Sequence, residues 1–329
     1  MKLASLKHGR DGKLVVVSRD LSRYASAESV APTMQAALDE WHITETKLKE
    51  IFDALEKGEI ASNEFDPKLC DAPLPRSYHW ADGSAYVTHV ELVRKTRNAV
   101  LPDSFWTDPL MYMGASDAFL GPLDDIPFEK EEWGIDFEAE IAIITDDVPA
   151  GTSIAGAKKH IKLISFLNDI TLRNLVPEEI KKQFGFYQTK PWTSFAPVFV
   201  TPDELGNSWD GGKLLLPIHS TLNGKKIGAA DAGIDMTFDF CDLISHAAKT
   251  RSLMAGTVIG SGTVANKGSE KGSSCISEVR CLEILKDGSP TTSFMKFGDR
   301  IEIEIFDNED KSVFGKINQK VIPYTPPQD

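Results

Sequence analysis

Apolar positions recur in two different rhythms along the 329 residues, and the change of rhythm divides the chain. Lys2–Leu6 and Leu14–Ser18 are short β-like runs flanking Gly9-Arg10-Asp11-Gly12, which predicts a hairpin. From Thr33 to Glu59, Met34, Ala37, Leu38, Trp41, Leu48, Ile51, Phe52 and Leu55 recur at three- and four-residue intervals. That spacing predicts helix, with Gly58 interrupting it near the end. A proline-rich stretch from Phe65-Asp66-Pro67 to Pro73-Leu74-Pro75 then marks a boundary. The expectation is a small N-terminal α+β domain over 1–72 and a larger domain over 73–329.

Past the boundary the texture is that of short strands. Candidates are Glu138–Ile144, Leu163–Leu167, Pro197–Val200, Leu214–Leu222, Thr257–Ser261, Glu278–Leu285 and Arg300–Phe306. Helical patterns interrupt them near Ile154–His160 and Phe240–Arg251. Many strands with few helices imply a mixed or antiparallel β architecture, not a doubly wound sheet. No phosphate-loop or dinucleotide fingerprint is present; Gly260-Ser261-Gly262 follows a strand without the rest of either motif.

Charge and composition narrow the partners. The 49 acidic residues against 36 basic ones give a net charge of −13, which argues against binding nucleic acid or an anionic membrane. Cys70, Cys241, Cys275 and Cys281 form no C-x-x-C pair and read as buried, reduced thiols. With neither a signal-like N-terminus nor a run of spanning length, a soluble, cytoplasmic protein is expected.

Within this acidic excess, Trp133-Gly134-Ile135-Asp136-Phe137-Glu138-Ala139-Glu140-Ile141-Ala142-Ile143-Ile144 carries the sharpest local pattern. On a strand, Glu138 and Glu140 leave the same face, while Ala139, Ile141 and Ile143 take the other. Two such carboxylates repel unless they face water or hold a cation, and both readings stand on spacing alone. A second acidic position, Asp169, follows the apolar run Ile161–Leu167. It is either a strand-end turn residue or a buried carboxylate with a partner. An all-oxygen set suits a hard cation, Mg²⁺ or Ca²⁺, and not zinc or copper.

These residues resemble the fumarylacetoacetate hydrolase family, whose C-terminal domain carries an E-x-E pair on one strand and an Asp farther along. Here they are Glu138, Glu140 and Asp169. The resemblance continues through Lys190-Pro191-Trp192-Thr193-Ser194-Phe195-Ala196-Pro197, similar to the family's K-x-x-x-[TS]-F-x-P segment. It also takes in Met236–Phe240 and runs through Leu253–Thr263 to the closing Gly262-Thr263, which in the family lines the substrate pocket and otherwise reads as a strand-end turn. Upstream, Asp82 and His89 have the seven-residue spacing that separates a metal-shell Asp from a catalytic His in the fumarylacetoacetases. Asn98-Ala99-Val100-Leu101-Pro102 and Pro109–Gly114 resemble the next landmarks, placing Tyr112 at a substrate contact or in the core. Glu278 then stands where the partner of the His is expected. The likeness covers roughly residues 75–325.

The resemblance implies a mixed β fold with few helices, a β-sandwich roll preceded by the small α+β segment. It implies a hydrolase acting on carbon–carbon bonds of a 2,4-diketo acid such as fumarylacetoacetate, as in aromatic amino acid degradation, and assembled as a homodimer. Asp82, Glu138, Glu140 and Asp169 would hold the cation. His89, oriented by Glu278, would take a proton from water. Lys190 and Arg173 would stabilise developing negative charge. Tyr112, Ser194, Gly262 and Thr263 would contact substrate. Taken alone, His89 also reads as a structural histidine and Lys190 as a solvated surface lysine. Val176 stands where the typical enzyme has Gln, Ile180 or Lys181 where it has Tyr, and Ser84 where it again has Tyr. Decarboxylation or isomerisation of a related 2-oxo acid, and a non-catalytic metal-bound binding protein, are the competing readings.

Overall fold

The computed structural model describes residues 1–96, 99–268 and 270–328. The N-terminal hairpin forms as expected, with Lys2–Leu6 antiparallel to Lys13–Val17 and Leu3 opposite Val16. Its turn needs glycine at Gly12, where φ is 67° and a Cβ would come within 2.8 Å of Ser5. The helical stretch divides into Met34–Asp39 and Trp41–Lys57, broken at Glu40. Trp41, Thr44, Leu48, Phe52 and Leu55 form the buried stripe of the longer helix, which stops at Gly58 in the left-handed conformation.

The hairpin edge continues into the rest of the molecule. Lys2 and Leu3 pair with Val200 and Phe199, so the first strands extend a large mixed sheet built around the 12-residue strand Ile161–Leu172. That strand lies antiparallel to Ala139–Thr145, which pairs in turn with Val258–Gly260. Val258–Gly260 runs parallel to Trp80–Gly83, itself flanked by Met111–Met113. A second sheet holds Ile126–Phe128, Pro217–Leu222, Lys225–Asp231, Arg300–Ile305 and Ile317–Pro323. The fold is thus dominated by mixed sheets, with few helices. No helix among the described residues is long and apolar enough to cross a membrane.

Alternation along the central strands decides where the site can lie. Ile141, Ile143, Ile164 and Phe166 join the core shared with the second sheet. Ala142, Ile144, Leu163 and Leu167 face the core beneath the N-terminal helices, together with Trp80. Burial on both faces explains why these strands read as nearly continuous apolar runs.

Of the two readings of Asp169, the buried carboxylate with partners holds: the strand runs on to Leu172, and Asp169 sits inside it opposite Thr193. One sequence expectation is corrected. Glu278–Leu285 is not a strand but part of the helix Ile276–Asp287, capped by the Cys275 sulfur and closed by left-handed Gly288. Glu278-Val279-Arg280-Cys281 alternates polar and apolar as a strand does, and only the flanking caps decide otherwise. Two further short helices, Val87–Lys95 and Val176–Lys182, escaped the pattern; both border the site.

Candidate functional site

The same alternation that buries Trp80, Ala142, Ile144 and Leu167 brings carboxylates together where the N-terminal cover ends. Glu140 lies opposite Leu167, and Asp82 lies level with Gly260, which is level with Ala142. Asp82, Glu138, Glu140 and Asp169 therefore share one face of the sheet. The fit at Asp82 depends on glycine. A Cβ on Gly260 would approach the Asp82 carboxylate to 2.5 Å, and the Gly262 N–H donates to that carboxylate at 3.0 Å.

Ligating oxygens of Asp82, Glu140 and Asp169 lie within 4.8 Å of one another. Burial, reinforced by Asp169, pushes Asp82 up to about 7. Burial and the neighbouring Asp82 and Asp169 drive Glu140 well above the carboxylate range. Neither buried oxygen of Glu140 meets a hydrogen-bond donor among the described residues. A buried carboxylate left so is costly unless a cation or proton joins it. Three converging carboxylates, Glu140 with both oxygens orphaned among the described residues, and no sulfur or imidazole fit a hard divalent cation.

Glu138, two residues away, is fully engaged. It accepts from Thr171 Oγ1 at 3.0 Å, Thr263 Oγ1 at 2.8 Å, Arg173 at 2.5 Å and the Lys190 ammonium. Burial opposes its charge, but Arg173 and Lys190 outweigh burial and hold it well below the usual range. Lys190 also donates to Asp169 at 2.5 Å; its desolvation is overcome by Asp169 and Glu138, which raise its pKa. Asp169 further accepts from Thr193 Oγ1 at 2.9 Å and from the Tyr112 hydroxyl.

His89 comes from Val87–Lys95 and lines a cavity of about 170 Å³ with Asp82, Glu138, Glu140, Lys190 and Thr263. Burial lowers its imidazole to about 4, so the ring is neutral at pH 7. Its Nδ1 has no partner among the described residues. Glu278 is buried on the helix Ile276–Asp287, which packs against the His89 helix. Burial pushes its carboxyl up to about 7. No hydrogen bond joins His89 and Glu278, and Glu278 Oε2 is likewise without a partner among the described residues. The two helices are adjacent, but the expected side-chain pair is not closed. A wider cleft of about 940 Å³ beside Lys2, Arg19 and Glu204 has charges that pair with one another, as Arg19 does with Glu204 at 2.6 Å.

Of the expected substrate contacts, Tyr112, Gly262 and Thr263 line the cavity, as does Arg173. Ser194 does not. It is fully buried and donates to Gln319 Oε1 at 2.7 Å, because the pleat gives the site side to Thr193 and the opposite side to Ser194. Asn98, the first residue of one expected landmark, lies outside the described residues.

Two residues escaped the sequence reading. Asp136 accepts from Arg173 Nε at 2.8 Å and from the backbone N–H groups of Ile276 and Ser277 at 2.7 and 2.9 Å. It thereby fastens Arg173 to the start of the Glu278 helix. The alternation Asp136, Glu138, Glu140 was its available signal. Glu179 accepts from the N–H groups of Tyr187, Gln188 and Thr189 and from Thr189 Oγ1, at 2.6–3.2 Å, fixing the turn before Lys190. Nothing in the spacing announced it.

Comparison with known proteins agrees with this architecture. Residues 78–322 match the profile described as fumarylacetoacetate (FAA) hydrolase C-terminal, and residues 1–76 match fumarylacetoacetase N-terminal domain 2. An uncharacterised Archaeoglobus fulgidus protein is 26% identical over 68% of this chain and 81% of its own length. A 2,4-didehydro-3-deoxy-L-rhamnonate hydrolase from a Sphingomonas species is 26% identical over 60% of this chain and 62% of its own. The human mitochondrial oxaloacetate tautomerase FAHD2B is 22% identical over 55% of this chain and 54% of its own. Among solved structures, the fumarylacetoacetate hydrolase of Exiguobacterium antarcticum superposes with a TM-score of 0.68 at 18% identity, covering 98% of this chain and all of that one. Maleylpyruvate hydrolase from Sphingobium sp. SYK-6, in complex with manganese(II) and pyruvate, gives 0.66 at 17% identity, covering 99% of this chain and all of that one. With one match spanning the carboxylate cluster, the central strands of the large sheet and nearly all of the second sheet, and the other spanning the N-terminal strands and helices, the chain belongs to the fumarylacetoacetate hydrolase family.

Proposed function

We propose that this chain hydrolyses a carbon–carbon bond in a 2,4-diketo acid, with Asp82, Glu138, Glu140 and Asp169 holding Mg²⁺ or Ca²⁺. The carrying observation is the neutral His89 ring on the wall of the same cavity as the donor-less Glu140 carboxylate. When bound, the cation supplies Lewis-acid polarisation of the diketone oxygens. His89 takes a proton from water as the water oxygen bonds to the carbonyl carbon. The adjacent carbon–carbon bond then breaks, its electron pair leaving as an enolate that His89 reprotonates, so that one diketo acid and one water give two carboxylic acids. Glu278, once joined to Nδ1, holds the ring in the productive tautomer and raises its basicity. Arg173 holds Glu138 in place, and Lys190 offers its ammonium to developing negative charge.

Relatives named as a hydrolase and as a tautomerase support an enzyme of this chemical neighbourhood. One observation favours the second reading, isomerisation or tautomerisation of a 2-oxo acid: the His89–Glu278 pair is open, and moving a proton needs no activated water. A panel of 2,4-diketo acids, assayed for 2-oxo acid release with and without chelator, separates the readings. Wild type should turn over and His89→Ala should not, while still binding the cation. Full activity in His89→Ala would remove hydrolysis from contention, and proton exchange without cleavage would select the tautomerase. A homodimer belongs to the same proposal and is read by light scattering.

A further inference from the structure

The cavity's walls differ in kind, and the difference bears on the substrate's far end. Beside the buried carboxylates, the half-buried Val90, Val176, Phe186 and the ring of Tyr112 give the lining an apolar stretch, which Ser84 and Arg173 flank as the other half-buried lining residues besides His89. Phe186 meets the Tyr112 ring edge-on at 5.4 Å, so the two aromatics brace each other. The wall is anchored, because Glu179 ties down the next three residues, Tyr187, Gln188 and Thr189.

Among the described residues lining the cavity, Arg173 and Lys190 are the cationic ones. Each is committed to two carboxylates: Arg173 to Asp136 and Glu138, Lys190 to Glu138 and Asp169. A second carboxylate at the far end of a substrate would therefore leave water for an apolar stretch where no described residue brings an uncommitted counter-charge, close to four acidic side chains. Such burial is unfavourable.

We propose that the Val90–Val176–Phe186 wall selects monocarboxylates, 2,4-diketo acids whose acyl end is uncharged and apolar, and excludes dicarboxylates. This rests on the diketo-acid reading above. The site's polar half takes the 2-oxo acid end, and the wall takes an alkyl group by apolar contact.

The test compares 2-oxohexanoate with 2-oxoadipate, equal in chain length and differing in the terminal carboxylate. Neither has the 4-oxo group needed for cleavage, so binding to Mg²⁺-supplemented protein by calorimetry reads recognition apart from turnover. The monocarboxylate should bind at least ~10-fold more tightly, in line with the discrimination a desolvated site gives. Val176→Arg, or Val90→Lys if the first variant fails to fold, should narrow or reverse that preference. Equal or tighter binding of 2-oxoadipate by wild type overturns the proposal and leaves the diketo-acid reading intact. Binding of neither acid overturns the proposal, and the turnover panel above then decides the diketo-acid reading on its own.

Discussion

Glu138 and Glu140 stand two residues apart where the strand Ala139–Thr145 begins, on one face and both buried, yet their surroundings are opposite. Glu138 has two cations and two hydroxyls; Glu140 has neighbouring carboxylates and no donor among the described residues. The first is held ionised and the second is pushed toward its neutral form. A sheet places side chains by parity alone, so the strand cannot make this distinction. It comes from what the neighbouring elements bring: Arg173 and Lys190 at one position, Asp82 and Asp169 at the other. One carboxylate has its charge balanced by the protein before any cation arrives. The other is neutralised only by something that binds.

The strongest test of that contrast is Glu140→Gln. Divalent-cation affinity, measured by calorimetry, should fall by more than roughly 100-fold, since even outer-shell partners of metal ligands contribute about 10–100-fold. Turnover should fall with it, while the chelated variant should be at least as stable as chelated wild type, because the cost of forcing a buried, donor-less carboxylate into its protonated form has gone. Retained affinity would detach Glu140 from cation binding.

Glu138→Gln should behave in the opposite sense. Its loss leaves Arg173 and Lys190 facing a neutral amide in a buried site, so the chelated protein itself should lose roughly 3–5 kcal/mol in urea unfolding. A stability change under about 1 kcal/mol would mean that the cations find other partners, and the contrast between the two glutamates would collapse.

A smaller effect follows from adding the cation to wild type. At about 100 times its dissociation constant, Mg²⁺ or Ca²⁺ should stabilise the fold by about 2.7 kcal/mol. The rise should vanish in Glu140→Gln. An equal rise in that variant would place the cation elsewhere.

How much of this could be read from the chain alone follows from what parity and spacing encode. The E-x-E pair was legible because its period is that of a strand, and Asp169 because a carboxylate after an apolar run needs a reason to be there. The face taken by Ser194 was not legible. Trp192–Phe195 is covered on both sides, so alternation carries no sign, and a slip of one residue exchanges Ser194 for Thr193. The partnership of Arg173 with Asp136 lies in a tertiary contact across 37 residues, which no local pattern records. The helix carrying Glu278 was misread because its first turn alternates like a strand; its identity rests on the caps at Cys275 and Gly288. His89 had meaning only through its resemblance to a motif, since a single histidine on a short helix is chemically ambiguous.

Glu179 gives the smallest effect and extends the comparison to a carboxylate that holds backbone instead of cations. Hydrogen bonds from Thr189 and from the N–H groups of residues 187–189 outweigh desolvation and lower its pKa to about 2. Since the folded value lies below the ordinary 4.5, its contribution is fully present above pH 4.5 and is lost as pH falls toward 2. Glu179→Ala should therefore cost roughly 2 kcal/mol at pH 6, with the gap to wild type narrowing steadily in urea titrations below pH 4.5. Because the turn it holds carries Phe186 and leads into Lys190, the same variant should raise KM more than it lowers kcat. A gap independent of pH would mean that Glu179 contributes packing and not its charge, and would leave the glutamates of the cavity as the charges that shape this site.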